Sequence, residues 1–361
     1  MRPIPNGARP AQRRGFTGLV CQRASYEFSV NVNRCGALLG LAIGDALGTT
    51  NEFAKLAAPP FPELAKEGLT GMVGGGPFGL KAGQVTDDTQ MACCLYRSLT
   101  SLGHYDANNA AARYVKWSNV AFDIGTQTRG SLAVVASGER ALEAGRIVWL
   151  ESGSKAAGNG SLMRAAPIGA LLAASEHERR IASLDDSAIT HFDPRCRLAC
   201  AAFNAAIAAG VLGTSDPEML WQAALDELPI AAGLLVGQYE DELDAAVTAL
   251  QADLRAATQN DPELYGPELD LHAHQGFVRV AFRLAFWELL HRSTFHDAVL
   301  DAANRGGDAD TNAAIIGALV GSRVGVDGIP AEWRRAVLEC TPNGSSVWWT
   351  TYHPKGFGCS G

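Results

Sequence analysis

Cys35-Gly36-Ala37-Leu38-Leu39-Gly40-Leu41-Ala42-Ile43-Gly44-Asp45-Ala46-Leu47-Gly48 is apolar on almost every side of a helical wheel. A helix without a polar face has to sit at the centre of a large core. Its glycines lower helix propensity but let neighbouring backbones come close, so they predict tight helix–helix contact. Asp45 interrupts the apolar run, and the reading for a lone buried aspartate is structural, bonding or capping a neighbouring helix. Glu52 lies just past the helix end at Gly48, free to point into a cleft. Further helical runs are expected over Ala110–Val120, Arg129–Leu142, Ala165–Ala174, Arg195–Val211 and His274–Leu290. The polar stretch from Gly213 to Leu271 carries one or two amphipathic helices among surface loops. No strand-rich block, no GxGxxG after a strand and no internal repeat is present, so the fold is expected to be all-α.

The chemistry begins at Gln84-Val85-Thr86-Asp87-Asp88-Thr89-Gln90-Met91. Met91, Cys94, Leu95, Leu99 and Leu102 follow at helical spacing, which puts Thr86, Asp87 and Asp88 at a helix N-terminus. Unpaired N–H groups and the positive end of the dipole favour acidic residues there. A single pair of aspartates would need no other explanation. A second cluster, Gly306-Gly307-Asp308-Ala309-Asp310-Thr311, also opens an apolar helical run, Ala313 to Val320. Four carboxylates gathered in an interior repel one another and resist ionisation. Hard divalent cations remove that cost and take carboxylate, hydroxyl and water oxygens. Thr86, Asp87, Asp88, Asp308, Asp310 and Thr311 are therefore expected to supply oxygens to two hard divalent ions such as Mg²⁺, with shared ligands. No Cys/His pattern with zinc spacing competes.

The 361 residues are 47% hydrophobic and 19% charged, which suits a globular enzyme with a large core. The net charge of −8 argues against a protein that tracks nucleic-acid phosphates with basic side chains. No apolar run reaches the length of a membrane span. The eight cysteines are scattered, several of them inside apolar helical runs, and do not form a secreted disulfide framework. Reduced thiols and a cytoplasmic location are expected. Residues 1–33 are basic and proline-bearing; Arg13-Arg14-Gly15-Phe16 only faintly suggests a twin-arginine export signal, since the apolar stretch after it is short. This segment is expected to be a disordered or partner-binding extension before a single domain at 34–345 and a tail at 346–361.

Several other stretches are weak signals taken singly. Ala157-Gly158-Asn159-Gly160-Ser161-Leu162-Met163-Arg164 is a glycine-rich loop entering a helix, which can present N–H groups to a phosphate or be a plain turn. His191, before the helix that follows, is a cap or a ligand contact. Phe122-Asp123-Ile124-Gly125-Thr126-Gln127-Thr128 links two helices.

Together these stretches carry a resemblance. GLAIGDALG with NEF, GQVTDDTQM, FDIGTQT, GNGSLMR, ITHFD and NRGGDADTNAAIIGALVG occur in the order found in the ADP-ribosylglycohydrolase family, from about Arg34 to Gly325. The likeness is to its arginine-directed, dinitrogenase reductase-activating type. The resemblance implies an orthogonal, all-α helical bundle around a central binuclear Mg²⁺ or Mn²⁺ site. It implies metal ligation by the six residues named above and catalytic roles for Asp123, Glu52 and Asp87. It also implies substrate contacts from Gly158, Asn159, Gly160 and Ser161, the diphosphate loop, and from His191, Gly306 and Gly307. The chain departs at Thr126, where the arginine-directed members have asparagine beside the distal ribose.

The expected activity is removal of ADP-ribose from modified protein side chains, with N-glycosidic ADP-ribosyl-arginine ahead of serine or nucleotide linkages. Two other classes compete with it. One is an immunity protein that neutralises an ADP-ribosyltransferase toxin through residues 1–33, and the other is a former enzyme kept for ligand binding. The intact oxygen set argues against the last.

Overall fold

The computed structural model describes residues 1, 16–239, 241–341 and 349–359, apart from the side chains of 16–30 and 349. The basic segment 2–15 and the start of the expected tail lie outside the described residues. Among the described residues there are helices and two isolated bridges, Gly75 with Leu80 and Gly158 with Phe277, but no strand, so the chain is all-α.

The centre is an antiparallel pair, α1 (Phe16–Gly48) and α13 (Ala309–Val324). A Cβ built on Gly36 would lie 2.2 Å from the Gly321 carbonyl oxygen, and one on Gly40 2.1 Å from that of Gly317. On Gly48 it would lie 2.3 Å from that of Ala309. Only glycine allows that approach, and the expectation of backbone contact from the Cys35–Gly48 stretch holds. The antiparallel sense brings the C-terminal end of α1 to the N-terminal end of α13. The helix starting at Phe16 runs without interruption into the core helix, with no turn at residue 34.

Against the pair lie α2 (Asp87–Leu102), α6 (Ala166–Leu171), α8 (Pro194–Val211) and α11 (Val278–His291), with α3 (Ala107–Ser118) packed on α2, all close to the expected positions. The run expected over Arg129–Leu142 is instead two helices, α4 (Thr126–Ala136) and α5 (Ala141–Glu151). Gly138, at φ 104°, turns the chain between them. The polar stretch holds α9 (Pro217–Gly233) and α10 (Glu242–Ala256). The helices α7 (Glu176–Thr190), α12 (Phe295–Arg305) and α14 (Ala331–Glu339) were not anticipated.

Residues 52–86 have no helix, and α12 holds them in place. Asn304 brackets the loop, donating to the Ala65 and Leu69 carbonyls at 2.9 and 3.0 Å and accepting from Leu69 N–H at 2.8 Å. Arg305, paired with Asp301 at 2.9 Å, donates to the Pro59 and Glu63 carbonyls. The two ends of this loop, Glu52 and Thr86, are thereby fixed beside the central pair.

One cysteine expectation is corrected. Cys35, at the start of the apolar stretch, is disulfide-bonded to Cys359, with Cα atoms 5.3 Å apart. The 324 residues between them hid the pairing, which depends on the C-terminal segment folding back over α1. Cys93, Cys94, Cys196, Cys200 and Cys340 are free. No helix among the described residues is long and apolar enough to cross a membrane.

Candidate active site

The helix carrying Asp87 and Asp88 is capped from outside. Thr86 occupies the N-cap position without a side-chain cap of its own. Asp45 of α1 accepts from the Thr86 and Thr89 amides at 3.0 and 3.1 Å, and from both threonine hydroxyls at 2.9 and 2.5 Å. The structural reading of Asp45 is therefore correct, and it is incomplete. One carboxylate oxygen each of Asp45, Asp88 and Asp310 lies within 4.8 Å of the others. A second triad, Glu52, Asp123 and Asp310, meets the same limit. Asp310 belongs to both.

A cleft of about 240 Å³ opens above these groups. Its lining includes Glu52, Asp87, Asp123, Asp308, Asp310 and Thr311 on one side and Gly158, Asn159, Gly160 and His191 on the other. Thr126, the position of departure, also faces it, together with Phe53, Gln127, Thr128, Met163 and Gly276. No lysine or arginine lines it. Burial raises Glu52 to about 8, with the Asp123 and Asp308 charges adding to the effect. Burial likewise raises Asp45 to about 6, against its four hydrogen bonds, and pushes Asp87, Asp88 and Asp310 well up. Asp123 is raised by burial, while a hydrogen bond shared with Asp87 pulls the other way.

The residues fit a hard cation. Glu52 Oε2 and Asp88 Oδ1 are buried with no hydrogen-bond partner, and no cationic side chain enters the cleft to compensate them. Buried acceptors left unmatched beside a pair of carboxylate triads are what a divalent ion satisfies. These acidic clusters can hold a metal ion.

The other expected residues divide into those facing the cleft and those behind it. Thr86 and Asp88 lie beneath the floor, the Thr86 hydroxyl between Asp45 Oδ1 and Asp88 Oδ2 at 2.9 and 3.2 Å. Gly306 and Gly307 do not line the cleft. Both have positive φ, and Gly307 exchanges backbone bonds with the start of the 52–86 loop, accepting from Phe53 N–H at 2.7 Å and donating to Ala54 at 2.9 Å. They fix the loop that carries Glu52.

In the glycine-rich loop, Gly158 N–H is used by Gln127 Oε1 and Asn159 N–H by the Gly276 carbonyl. The Gly160 amide remains for a ligand, and Ser161, expected to contact substrate, does not line the cleft. Asn159 Nδ2 donates to Asp308 Oδ2 at 2.6 Å, tying the loop to the second acidic cluster. Ser161 is fully buried, its hydroxyl accepting from Ser187 at 2.9 Å. Gln127 and Gly276 were not singled out from sequence; nothing local marks a residue whose role is to occupy another loop's amide.

Comparison with known proteins places this arrangement. Residues 33–349 match the family model described as ADP-ribosylglycohydrolase. The chain is 33% identical over 307 residues to ADP-ribosylarginine hydrolase Tri1 of Pseudomonas putida (strain GB-1), covering 82% of this chain and 72% of that protein. It is 30% identical over 310 residues to the ADP-ribosyl-[dinitrogen reductase] glycohydrolase of Rhodospirillum rubrum, covering 84% and 90%. A solved structure described as an ADP-ribosylglycohydrolase-related protein complex superposes with a TM-score of 0.64 at 26% identity, covering 91% of this chain and 98% of that one.

Proposed function

Because this chain belongs to the ADP-ribosylglycohydrolase family, we propose that it hydrolyses the N-glycosidic bond between ADP-ribose and a protein arginine, using two Mg²⁺ or Mn²⁺ ions. The observation that carries the reading is the pair of carboxylate triads sharing Asp310 beneath a cleft walled by Gly158–Gly160. Asp45, Asp88, Asp310, Glu52 and Asp123 would hold the ions, with Asp87, Asp308, Thr86 and Thr311 supplying further oxygens. When bound, the ions supply positive charge that offsets the carboxylates and stabilises negative charge developing on sugar oxygens.

The chain's own groups do the rest. The Gly160 amide contacts the diphosphate, and His191 packs beside it. Asp123 stands at the cleft wall, where a carboxylate can pair with a guanidinium in a bidentate geometry that a serine linkage does not offer. The C1″–N bond breaks as water oxygen bonds to C1″, and the oxocarbenium-like centre between them is stabilised by nearby carboxylates. One water proton passes to a carboxylate, and the departing arginine nitrogen gains a proton. Glu52 and Asp123 are the carboxylates at the cleft wall placed to take and return that proton, and Asp87 orients Asp123 through the hydrogen bond they share.

Release of ADP-ribose from arginine-, serine- and nucleotide-linked substrates, with and without chelator, tests the reading. Arginine-linked substrate should be cleaved fastest, chelation should stop turnover, and Mg²⁺ or Mn²⁺ should restore it. Asp123→Ala should depress hydrolysis far more than ADP-ribose affinity. Faster cleavage of serine-linked substrate, or full activity after metal stripping, would overturn it.

A further inference from the structure

Arg164 ends the stretch that carries the glycine-rich loop, and it is completely buried behind that loop. Its Nε donates to Asp186 Oδ2 at 3.0 Å and its Nη2 to the Asp186 carbonyl at 2.8 Å. Nη1 divides between the Gly160 carbonyl at 3.0 Å and the Thr190 hydroxyl at 2.9 Å. That hydroxyl is 2.8 Å from His191 Nδ1.

The proton positions follow from donor counting. A guanidinium has only donors, so Thr190 Oγ1 must accept from Arg164. The hydroxyl keeps one hydrogen, and His191 Nδ1 is the acceptor it meets among the described residues. Nδ1 then carries no proton, and the neutral ring carries its hydrogen on Nε2. Burial, followed by the Arg164 charge, lowers the His191 pKa well below its usual range, which keeps the ring neutral. The backbone is held as well, since the Thr190 carbonyl accepts from Ser131 Oγ at 3.1 Å and Gln127 Nε2 at 3.2 Å.

His191 Nε2 faces the cleft's glycine wall. A Cβ on Gly158 would lie 3.2 Å from Nε2, and one on Gly160 3.1 Å from it and 2.9 Å from Cε1. Two residues without side chains thus leave room for the edge of the ring that bears the proton.

We propose that Arg164 and Thr190 are positioning residues that fix His191 as the Nε2–H tautomer, so that the ring donates a hydrogen bond to an oxygen of ADP-ribose held by the Gly158–Ser161 loop. The ligand half of this rests on the function proposed above; the tautomer half does not. Long-range ¹H–¹⁵N correlation on the full chain labelled at histidine reads the tautomer directly. The wild type should show protonated Nε2 and bare Nδ1 for His191. Thr190→Val, which removes the hydroxyl while keeping the shape, should shift the ring toward Nδ1–H and weaken ADP-ribose binding about tenfold, some 1.4 kcal/mol. It should raise KM more than it lowers kcat. Thr190→Ser should restore both the nitrogen shifts and the affinity, which a purely structural role would not require. Protonated Nδ1 in the wild type, or wild-type tautomer and affinity in Thr190→Val, would overturn the proposal. A wild type with the expected tautomer and no affinity for ADP-ribose overturns the ligand half and the functional reading with it.

Discussion

Gly44 and Ala313 are so close that a methyl group on Gly44 would sit 1.9 Å from the Ala313 carbonyl oxygen. Asp45 is the next residue along α1, and Asp310 is one turn back along α13, so this contact sets the separation of two carboxylates of one triad. Helix packing and metal-site geometry are one feature here. Anything that pushes the backbones apart moves ligands that belong to different helices.

The first consequence is a steep sensitivity to a small addition. Gly44→Ala or Gly40→Ala should cost about 3 kcal/mol or more, the upper part of the range for overpacking, because the obstacle is backbone and cannot rotate away. Gly233→Ala is the control, since nothing lies within 4 Å of a Cβ there. Thermal unfolding should show a drop of several degrees for the first two and none for the third. Equal Tm values across the three would mean the helices are free to separate.

Asp45 and Asp310 should respond in opposite ways to loss of charge. Asp45→Asn replaces an acceptor of four hydrogen bonds with a group that is half donor, and the unmatched N–H and O–H groups should cost about 1–3 kcal/mol. Asp310→Asn relieves repulsion in both triads and should leave the cation-free fold as stable or firmer. The same change should abolish cation-induced stabilisation and cut turnover by orders of magnitude. Differential scanning fluorimetry with and without Mg²⁺ measures both, and an Asp310→Asn protein still stabilised by Mg²⁺ would remove Asp310 from the centre of the site.

What the sequence revealed and what it hid follow from the range of the interactions. The apolar Cys35–Gly48 run and the helix starts at Asp87 and Asp308 are local patterns, and they were legible. The pairing of the two acidic clusters was inferable from charge, because each would be costly without the other and a cation. Asp45 was half legible: its burial was evident, but its approach to Asp88 and Asp310 exists only once α1 and α13 cross. The Gly158 and Asn159 amides were expected to face a ligand, yet Gln127 and Gly276, distant in sequence, occupy them. Helix α7 escaped notice because its charged first turns, Glu176 to Arg180, mask the apolar face that follows. The Cys35–Cys359 bond depends on a fold-back that no spacing encodes.

Cation binding should release protons. Burial and the neighbouring carboxylates raise Glu52 to about 8, so at neutral pH it is largely protonated in the cation-free protein. A bound cation favours the ionised form, so affinity should rise with pH through the Glu52 value near 8. The sign for stability is the reverse. A raised carboxyl contributes fully below its unfolded-state pKa and loses that contribution as pH climbs through its folded value, first near 6 for Asp45 and then near 8 for Glu52. Cation-free Tm should fall as pH rises from about 5 to about 8, and saturating Mg²⁺ should flatten the slope. Calorimetry in buffers of different ionisation enthalpy counts the protons. A flat cation-free Tm with no buffer dependence would contradict the shifts.

Thiol chemistry separates two kinds of cysteine. Burial pushes Cys94 and Cys200 up to about 12 and Cys93 and Cys196 well above the usual thiol range, so few thiolates exist at pH 8 and none has an open path. Native alkylation should leave these four unmodified until the chain unfolds. Cys35 and Cys359 should label only after reduction, and reduction should also loosen the tail. The bond holds the 349–359 segment against α2, where Tyr96 donates to the Phe357 carbonyl at 2.9 Å and packs edge-on against its ring, while Arg97 reaches the Thr350 carbonyl at 3.3 Å. Losing a cross-link between such distant residues should cost about 2–4 kcal/mol. Cys359→Ser and the reduced wild type should therefore show the same lowered Tm. Peptide mapping after alkylation decides the matter: labelling of Cys35 and Cys359 without reductant would exclude the bond, and rapid native labelling of Cys94 or Cys200 would mean the core around α2 and α8 opens far more readily than its packing implies.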